Sequence, residues 1–343
     1  MATRLDMLQG IKPEMTTWFY EIDEKMYKKM PRLWEKLVDE VPKDKFVGGY
    51  CKSTSAIGAT EIPDTLPTGE YAEDRPQEGF TVYGTLKEKA LKVQMPREME
   101  RDWWRTKNWL KEYVQKNWYQ ALEITKEKLV ANFFNEGGYT AGAPIFSNDD
   151  AQISLTTYTS PKLCYDGFPF INLASNVRPA RYQGAYASTA GTYYNGLALT
   201  GVNLANAKTM YNLMTATNNI MDNGQAFDNS SDISVLCHTS QKLDWQVVQN
   251  STLNPDNAQN AYNPLASGFK EIIANPYLTT TTFNALVRKG GIKVYFSEPK
   301  FQFWMKNDPE RYFASVVMDY AIWLQNWRFV VGNNAPTSGT IYQ

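Results

Sequence analysis

The stretch from Pro96 to Glu136 constrains the fold more than any other, being at once the longest, the most charged and the most periodic part of the chain. Met99, Trp103, Leu110, Val114, Trp118, Leu122, Thr125, Leu129 and Phe133 recur at steps of three, four and seven, drawing one stripe along a helical cylinder. Polar residues fill the other faces, and Glu123, Lys126 and Glu127 stand at spacings that allow charge pairing. Pro96 suits a first helical position, where its missing N–H would be unpaired anyway, and Gly137-Gly138 supplies a stop. At about 1.5 Å per residue this helix would span roughly 60 Å, more than a small domain is wide. It either kinks, near Asn108 or Asn117, or lies as a strut across a flat molecule that finds partners in neighbouring subunits. A long core helix of a large α+β domain is the plainer alternative.

The segments before the helix are short of core. Residues 1–40 place Trp18, Ile22 and Met26 at helical steps among Glu21, Asp23, Glu24, Lys25 and Lys28, with Pro31 interrupting before Leu33, Trp34 and Leu37. Such an amphipathic arm buries only a thin stripe and must dock on the rest of the chain or on another copy. From Phe46 to Met95 the period changes. An extended segment punctuated by Gly48, Gly49 and Gly58 leads into Ile62–Gly79, rich in proline and acids, after which Phe80–Tyr83 and Ala90–Met95 read as strands. Two extended arms joined by a proline-rich tip make a long hairpin, marginal alone and therefore expected to have a partner surface; a surface loop with no partner is the alternative.

After Gly138 the composition shifts. Residues 1–137 hold 22 Lys/Arg and 23 Asp/Glu, whereas the longer remainder holds 13 of each. Tyr139–Leu199 shows little period and reads as a folded, loop-rich connector, too aromatic for disorder. Order resumes with a helix at Leu204–Met214 behind Asn203 as N-cap, a strand at Ile233–Cys237, and a helix at Ser240–Val248 through Leu243, Trp245, Val247 and Val248. Strands follow at Phe269–Ile273, Thr281–Val287 and Ile292–Phe296, the last two joined by a turn at Gly290-Gly291, and Phe313–Val331 supplies one or two more. The pattern is α+β.

Little in the chain carries chemistry. A net charge of −1 in 343 residues argues against a dedicated nucleic-acid binder, which carries a basic excess. Cys51, Cys164 and Cys237 are widely spaced and suggest neither a disulfide framework nor a metal site; they suit a reducing compartment. His238, the single histidine, follows a strand without a nucleophile motif and reads as a cap or a satisfied buried residue. No glycine-rich phosphate loop is present, and no run approaches the ~20 apolar residues needed to cross a bilayer. Asp64, Glu70, Glu73 and Asp74 cluster too loosely for calcium and read as a solvated loop rather than as glycosidase acids. No catalytic residue, cofactor or metal is expected. Trp103, Trp118 and Trp245 fall on helical stripes, where core explains them better than sugar stacking.

The order of parts resembles the major capsid proteins of tailed bacteriophages with the HK97-type fold. The resemblance is carried by the long helix ending in LVANFFNEGG, the APIFS that follows, LTGVNLANAKTMYNLM, the NPYL turn before TTTTFNALV, and the closing VMDYAIWLQNWRFVV. It implies an N-terminal arm (1–45), an extended loop (46–95), a peripheral domain with the spine helix (96–142), an axial domain (143–299), and a return to the peripheral domain with the tail (300–343). The implied function is a structural one: hexamers and pentamers closing into an icosahedral head around double-stranded DNA contacted without sequence preference. The virion is the implied location, after synthesis in the host cytoplasm. The subunit contacts it implies fall on Trp18, Ile22, Met26, Glu61, Asp64, Glu70, Tyr71, Arg75, Phe80 and Lys87. Unlike many family members, the chain enters the arm within a few residues of Met1, which implies a separate scaffolding protein, beside a portal and a decoration protein as further partners. Lys87, Lys89 and Lys92 lie in or near the loop, but no feature identifies a covalent crosslink, and none is expected. A carbohydrate-active hydrolase or glycan-binding module, and another virion component such as a tail or decoration protein, are the alternatives.

Overall fold

The computed structural model describes residues 17, 32–57, 77–95, 108, 109, 111–135, 137, 164, 168–179, 191–221, 226–253, 262–307 and 310–336. In chain order the elements are α1 (Trp34–Leu37), β1 (Asp39–Glu40), β2 (Tyr50–Ile57), β3 (Gln77–Thr85), β4 (Lys87–Met95), α2 (Tyr119–Asn135), β5 (Arg178–Pro179), β6 (Gly191–Tyr193), β7 (Gly196–Leu197), α3 (Leu204–Asn212), β8 (Ser234–His238), α4 (Lys242–Asn250), β9 (Ile272–Asn275), β10 (Asn284–Val287), β11 (Ile292–Phe296), β12 (Lys300–Asn307), β13 (Glu310–Leu324) and β14 (Val330–Asn333). The fold is α+β, as the pattern predicts. The chain divides into two compact units. The first holds Met1–Trp34, Leu86–Leu129 and Tyr295–Ala321; the second holds Glu35–Thr85, Val130–Val294 and Ile322–Gln343.

In the first unit β13 is flanked by two antiparallel neighbours. β12 runs beside it from Lys300 opposite Val317 to Asn307 opposite Glu310, and β4 from Lys87 opposite Tyr320 to Met95 opposite Tyr312. Ala314, Ser315, Val316, Val317 and Met318 of β13 are all buried, and Phe301 stacks on Trp118 at 6.0 Å between ring centroids and 12° between planes. The expected stripe is buried at Val114, Trp118, Leu122 and Leu129, joined by Tyr119 and Glu123. Val114–Trp118 is π-helical, so an extra residue is accommodated around Asn117, one of the two places where the sequence suggests a kink. Residues 96–107, Leu110 and Glu136 lie outside the described residues, and with them Met99 and Trp103 of the stripe.

The second unit is built on a mixed sheet in the order β7-β14-β10-β8-β9. Leu286 stands opposite both Val235 and Val331, and this row faces α3 and α4, where Leu204, Ala207, Met210, Trp245, Val248 and Phe269 complete one core cluster. Asn203 caps α3 as its position predicts, its side-chain oxygen accepting from the backbone N–H of Asn206 at 2.8 Å. Another aromatic group holds Phe170, Phe134 and Phe283 together, with ring centroids 6.0 and 6.4 Å apart. At the end of α2 the Asn135 amide donates to the Tyr277 carbonyl at 2.9 Å and accepts from the Thr279 N–H at 2.9 Å. Ile171 sits in a cradle of glycines: a Cβ on Gly332 would come within 2.6 Å of it and one on Gly137 within 2.8 Å.

Several expectations are corrected. β10 and β11 do not form a hairpin; Gly290, at φ +105°, makes the predicted turn, but β10 pairs with β8 and β14 while β11 receives β1 as a parallel neighbour. The extended hairpin is formed by β2 and β3, from Tyr50 opposite Thr85 to Ile57 opposite Gln77, and the strand expected at Ala90 starts at Lys87 and leaves the hairpin for β13. Of the apolar residues through which the α4 helix was expected to run, Trp245 and Val248 are buried, whereas Leu243 and Val247 are 71% and 54% exposed. The strand expected at Phe269–Ile273 is shifted to Ile272–Asn275, because Phe269 turns into the core beneath Trp245. β12 was not expected at all.

Candidate functional site

The groups capable of acid–base or nucleophilic work are held in structural roles. His238 Nδ1 accepts from the Ser240 N–H at 3.2 Å and lies 2.8 Å from the Ser240 hydroxyl, so it caps the turn leading into α4, one of the two roles expected of it. Burial raises the Cys51 thiol pKa, against the opposing pull of Lys293 and Lys45. Burial pushes Cys237 from 9.0 up to about 12, with Lys242 and Asp244 acting in opposite senses. A thiol with that pKa is almost wholly protonated near neutrality and is a poor nucleophile. Among the described residues no group of three or more His, Cys, Asp or Glu could hold a metal ion, and no helix is long and apolar enough to cross a membrane.

Cys237 gives a direct test. In the folded chain at pH 8 its alkylation should be suppressed by at least a hundredfold relative to the chain in urea; equal rates would refute the burial. The sign of the pH effect follows. Between pH 9 and about 12 the unfolded chain loses this proton and the folded chain keeps it, so stability falls through that window.

In the first unit, β4 and α2 enclose a cavity of about 220 Å³ lined by Lys89, Ala90, Leu91, Trp118, Ala121, Leu122, Thr125 and Val316. Among the described residues β4 pairs on one side only, with β13. Leu91 is half exposed at the mouth. Burial, and then the neighbouring Lys128, lower the Lys89 pKa. The lining suits an apolar side chain; it lacks the converging polar groups that orient a sugar or position a water for hydrolysis.

In the second unit the root of the β2–β3 hairpin rests on Trp323. A Cβ on Gly84 would approach the Trp323 ring to 2.3 Å, Phe46 meets the same ring edge-on at 6.0 Å, and Val82 and Cys51, the cross-strand partner of Gly84, are buried. At the same root Tyr50 meets Tyr83 with ring centroids 5.7 Å apart, and farther out the Thr54 and Thr81 hydroxyls lie 3.1 Å apart.

Of the residues expected at subunit contacts, Trp18, Ile22, Met26, Glu61, Asp64, Glu70, Tyr71 and Arg75 lie outside the described residues. Phe80 falls within β3, and Lys87 opens β4, half-buried opposite Tyr320. The packing of Gly84 under Trp323 was missed from the sequence; a lone glycine inside a strand is the signal that could have found it, since it marks close approach of another group.

Residues 170–333 match the family of phage capsid proteins. Over this segment, just under half of its length, the chain is similar to phage capsid proteins. The matched segment contains the whole sheet of the second unit together with α3, α4, β12 and β13. Solved structures similar to this chain include that of Mycobacterium phage Patience, with 9% identity over 97% of this chain and 88% of that chain at a TM-score of 0.49. The capsid of Ralstonia phage GP4 shares 11% identity over 90% of this chain and 91% of that one, with a TM-score of 0.44. For the capsid of cyanophage P-SCSP1u the values are 10%, 88%, 86% and 0.45. No curated protein matches the chain.

Proposed function

We propose that this chain is a phage capsid protein, the major subunit of a tailed-phage head, assembling as hexamers and pentamers into an icosahedral shell around double-stranded DNA. The observation that carries the reading is the phage capsid match over residues 170–333. It is supported by a hairpin that has a buried root and, among the described residues, two strands beyond it, an element marginal in an isolated molecule and completed when a neighbouring copy covers it. Rings of identical subunits meet through heterologous contacts, which curvature closes into a shell. The arm residues Trp18, Ile22 and Met26 and the loop residues Glu61, Asp64, Glu70, Tyr71, Arg75, Phe80 and Lys87 are the proposed contacts. A scaffolding protein, a portal and a decoration protein are the proposed partners, and the role is non-enzymatic. The near-neutral balance suits an inner wall that tolerates packed DNA without gripping it. The glycan-binding alternative gains no support, since Trp118 and Trp245 are both core residues.

Electron microscopy and sedimentation of the purified chain, with and without candidate scaffold, test the proposal. Closed shells or hexameric and pentameric capsomers are the expected result, and a stable monomer under every condition would overturn it. Deleting Ile62–Gly79 should leave a folded, soluble subunit that makes no shells; normal shells from the deletion would remove the hairpin from assembly.

A further inference from the structure

Asn195 and Gly196 are each required where they stand, for unrelated reasons. The Asn195 side chain, fully buried, accepts from the Asn172 N–H and donates to the carbonyls of Phe170, Val330 and Trp327. Gly196 is buried against the same neighbour: a Cβ there would lie 2.9 Å from both the carbonyl carbon and the oxygen of Asn172, main-chain atoms that cannot swing aside. The fold thus demands an Asn-Gly pair. In that dipeptide the backbone nitrogen of the second residue reaches the side-chain amide of the first most readily, because no β-carbon hinders its approach. Here the peptide joining the two is clamped on both edges. The Gly196 N–H donates to the Asn172 carbonyl at 2.8 Å, and the Asn195 carbonyl accepts from the Gly332 N–H at 2.8 Å. All of these partners belong to the second unit.

We infer that Asn195 is a deamidation site which the fold keeps closed and which opens only when the second unit unfolds, so that the reaction removes opened chains from those able to refold. In the open chain the Gly196 nitrogen gives up its proton to hydroxide and bonds to Asn195 Cγ. The Cγ–Nδ2 bond breaks, and the side-chain nitrogen takes a proton from water and leaves as ammonia. The succinimide so formed adds one water and opens at either carbonyl, giving aspartate or isoaspartate at position 195. In the folded chain, turning the peptide plane to bring its nitrogen onto Cγ would break the bonds to Asn172 and Gly332 together, and burial keeps water from the amide. The way back is closed as well. Aspartate has no donor for the three carbonyls and brings a charge inside, while isoaspartate lengthens the main chain where both edges of the peptide are paired. This chemistry goes beyond the capsid-subunit reading and does not depend on it.

Peptide mapping by mass spectrometry tests this in the full-length chain, held at one pH and temperature either folded or in guanidinium chloride. Asn223, which also precedes a glycine, serves as the internal reference in guanidinium. There Asn195 should react at a rate comparable to that of Asn223. In the folded chain it should react at least a hundredfold more slowly, with protection lost in step with unfolding as denaturant is raised. Gly196→Ala, read only in guanidinium because its Cβ has no room in the fold, should slow the reaction at position 195 at least tenfold and leave Asn223 unchanged. After dilution from guanidinium, chains altered at position 195 should be at least tenfold depleted in the fraction that regains native near-ultraviolet circular dichroism. Equal rates at position 195 in folded and unfolded chains would overturn the closed site. Reaction in guanidinium at Asn223 but not at Asn195 would overturn the site itself, and altered chains that refold as well as intact ones would overturn the one-way step.

Discussion

Asn195→Ala should destabilise the second unit by about 4 kcal/mol, close to the total stability of many domains. Asn195 is fully buried, and its amide gathers four main-chain groups from separate parts of the chain. Its oxygen accepts from the Asn172 N–H at 2.8 Å, and its nitrogen donates to the carbonyls of Phe170 at 2.8 Å, Val330 at 3.0 Å and Trp327 at 3.3 Å. Alanine would remove the amide's hydrogen bonds to these four groups, each worth about 1 kcal/mol, and leave a cavity in their place. The loss of one side chain's conformational entropy on folding, which alanine avoids, returns only about 1 kcal/mol and does not change the sign. The midpoint of urea unfolding, followed by tryptophan fluorescence, measures the effect; a loss below 1 kcal/mol would show that water replaces the amide. Asn195→Asp keeps the shape, removes the donor and adds a charge, and should be at least as damaging.

That residue also shows where sequence reasoning stops. In the Asn-rich stretch around it an asparagine reads as solvated loop, and nothing local says that its partners are carbonyls more than a hundred residues away in Trp327 and Val330. Asn263 is likewise fully buried, its amide donating to the carbonyls of Val248 at 2.7 Å and Ser251 at 2.8 Å, partners nearer in the chain. Periodic features were legible because burial itself makes the pattern. Trp118 and Trp245 are core as their spacing implies, Asn203 caps its helix, and the strand Ile292–Phe296 begins and ends where the apolar run does. β12 was legible and overlooked, since Phe301, Phe303 and Met305 alternate with Gln302, Trp304 and Lys306. Pairing was not legible. Whether a strand continues a hairpin or crosses to another sheet depends on what lies opposite, and Lys87–Met95 carries the alternation either would require. Leu243 and Val247 mark the opposite failure, an apolar pair at helical spacing left facing outward.

Gly84→Ala should separate folding of the subunit from its assembly. The added methyl would lie 2.3 to 2.7 Å from three carbons of the Trp323 ring, a rigid plane held by Phe46 on another side. Overpacking of this kind costs about 3 kcal/mol, against which the usual gain of about 0.4 to 1 kcal/mol from restricting an unfolded glycine is small. The strand and its partner Cys51 must therefore lift away from Trp323. At about 3.3 Å per residue β2 reaches roughly 25 Å from that root, so a small tilt there becomes a displacement of several ångströms at the far end. Shell formation should fail under conditions where the variant, kept cold, still shows native near-ultraviolet circular dichroism. Trp323→Leu should weaken the fold by leaving a cavity, yet the pair Gly84→Ala with Trp323→Leu should be less damaged than the sum of its parts by about 1 to 3 kcal/mol, because the methyl enters the space that the ring vacates. Partial return of shells in the double variant would tie assembly to the seating of the hairpin root. Strict additivity, or shells from Gly84→Ala alone, would mean that the hairpin accommodates the methyl without moving and that its root does not govern how subunits meet.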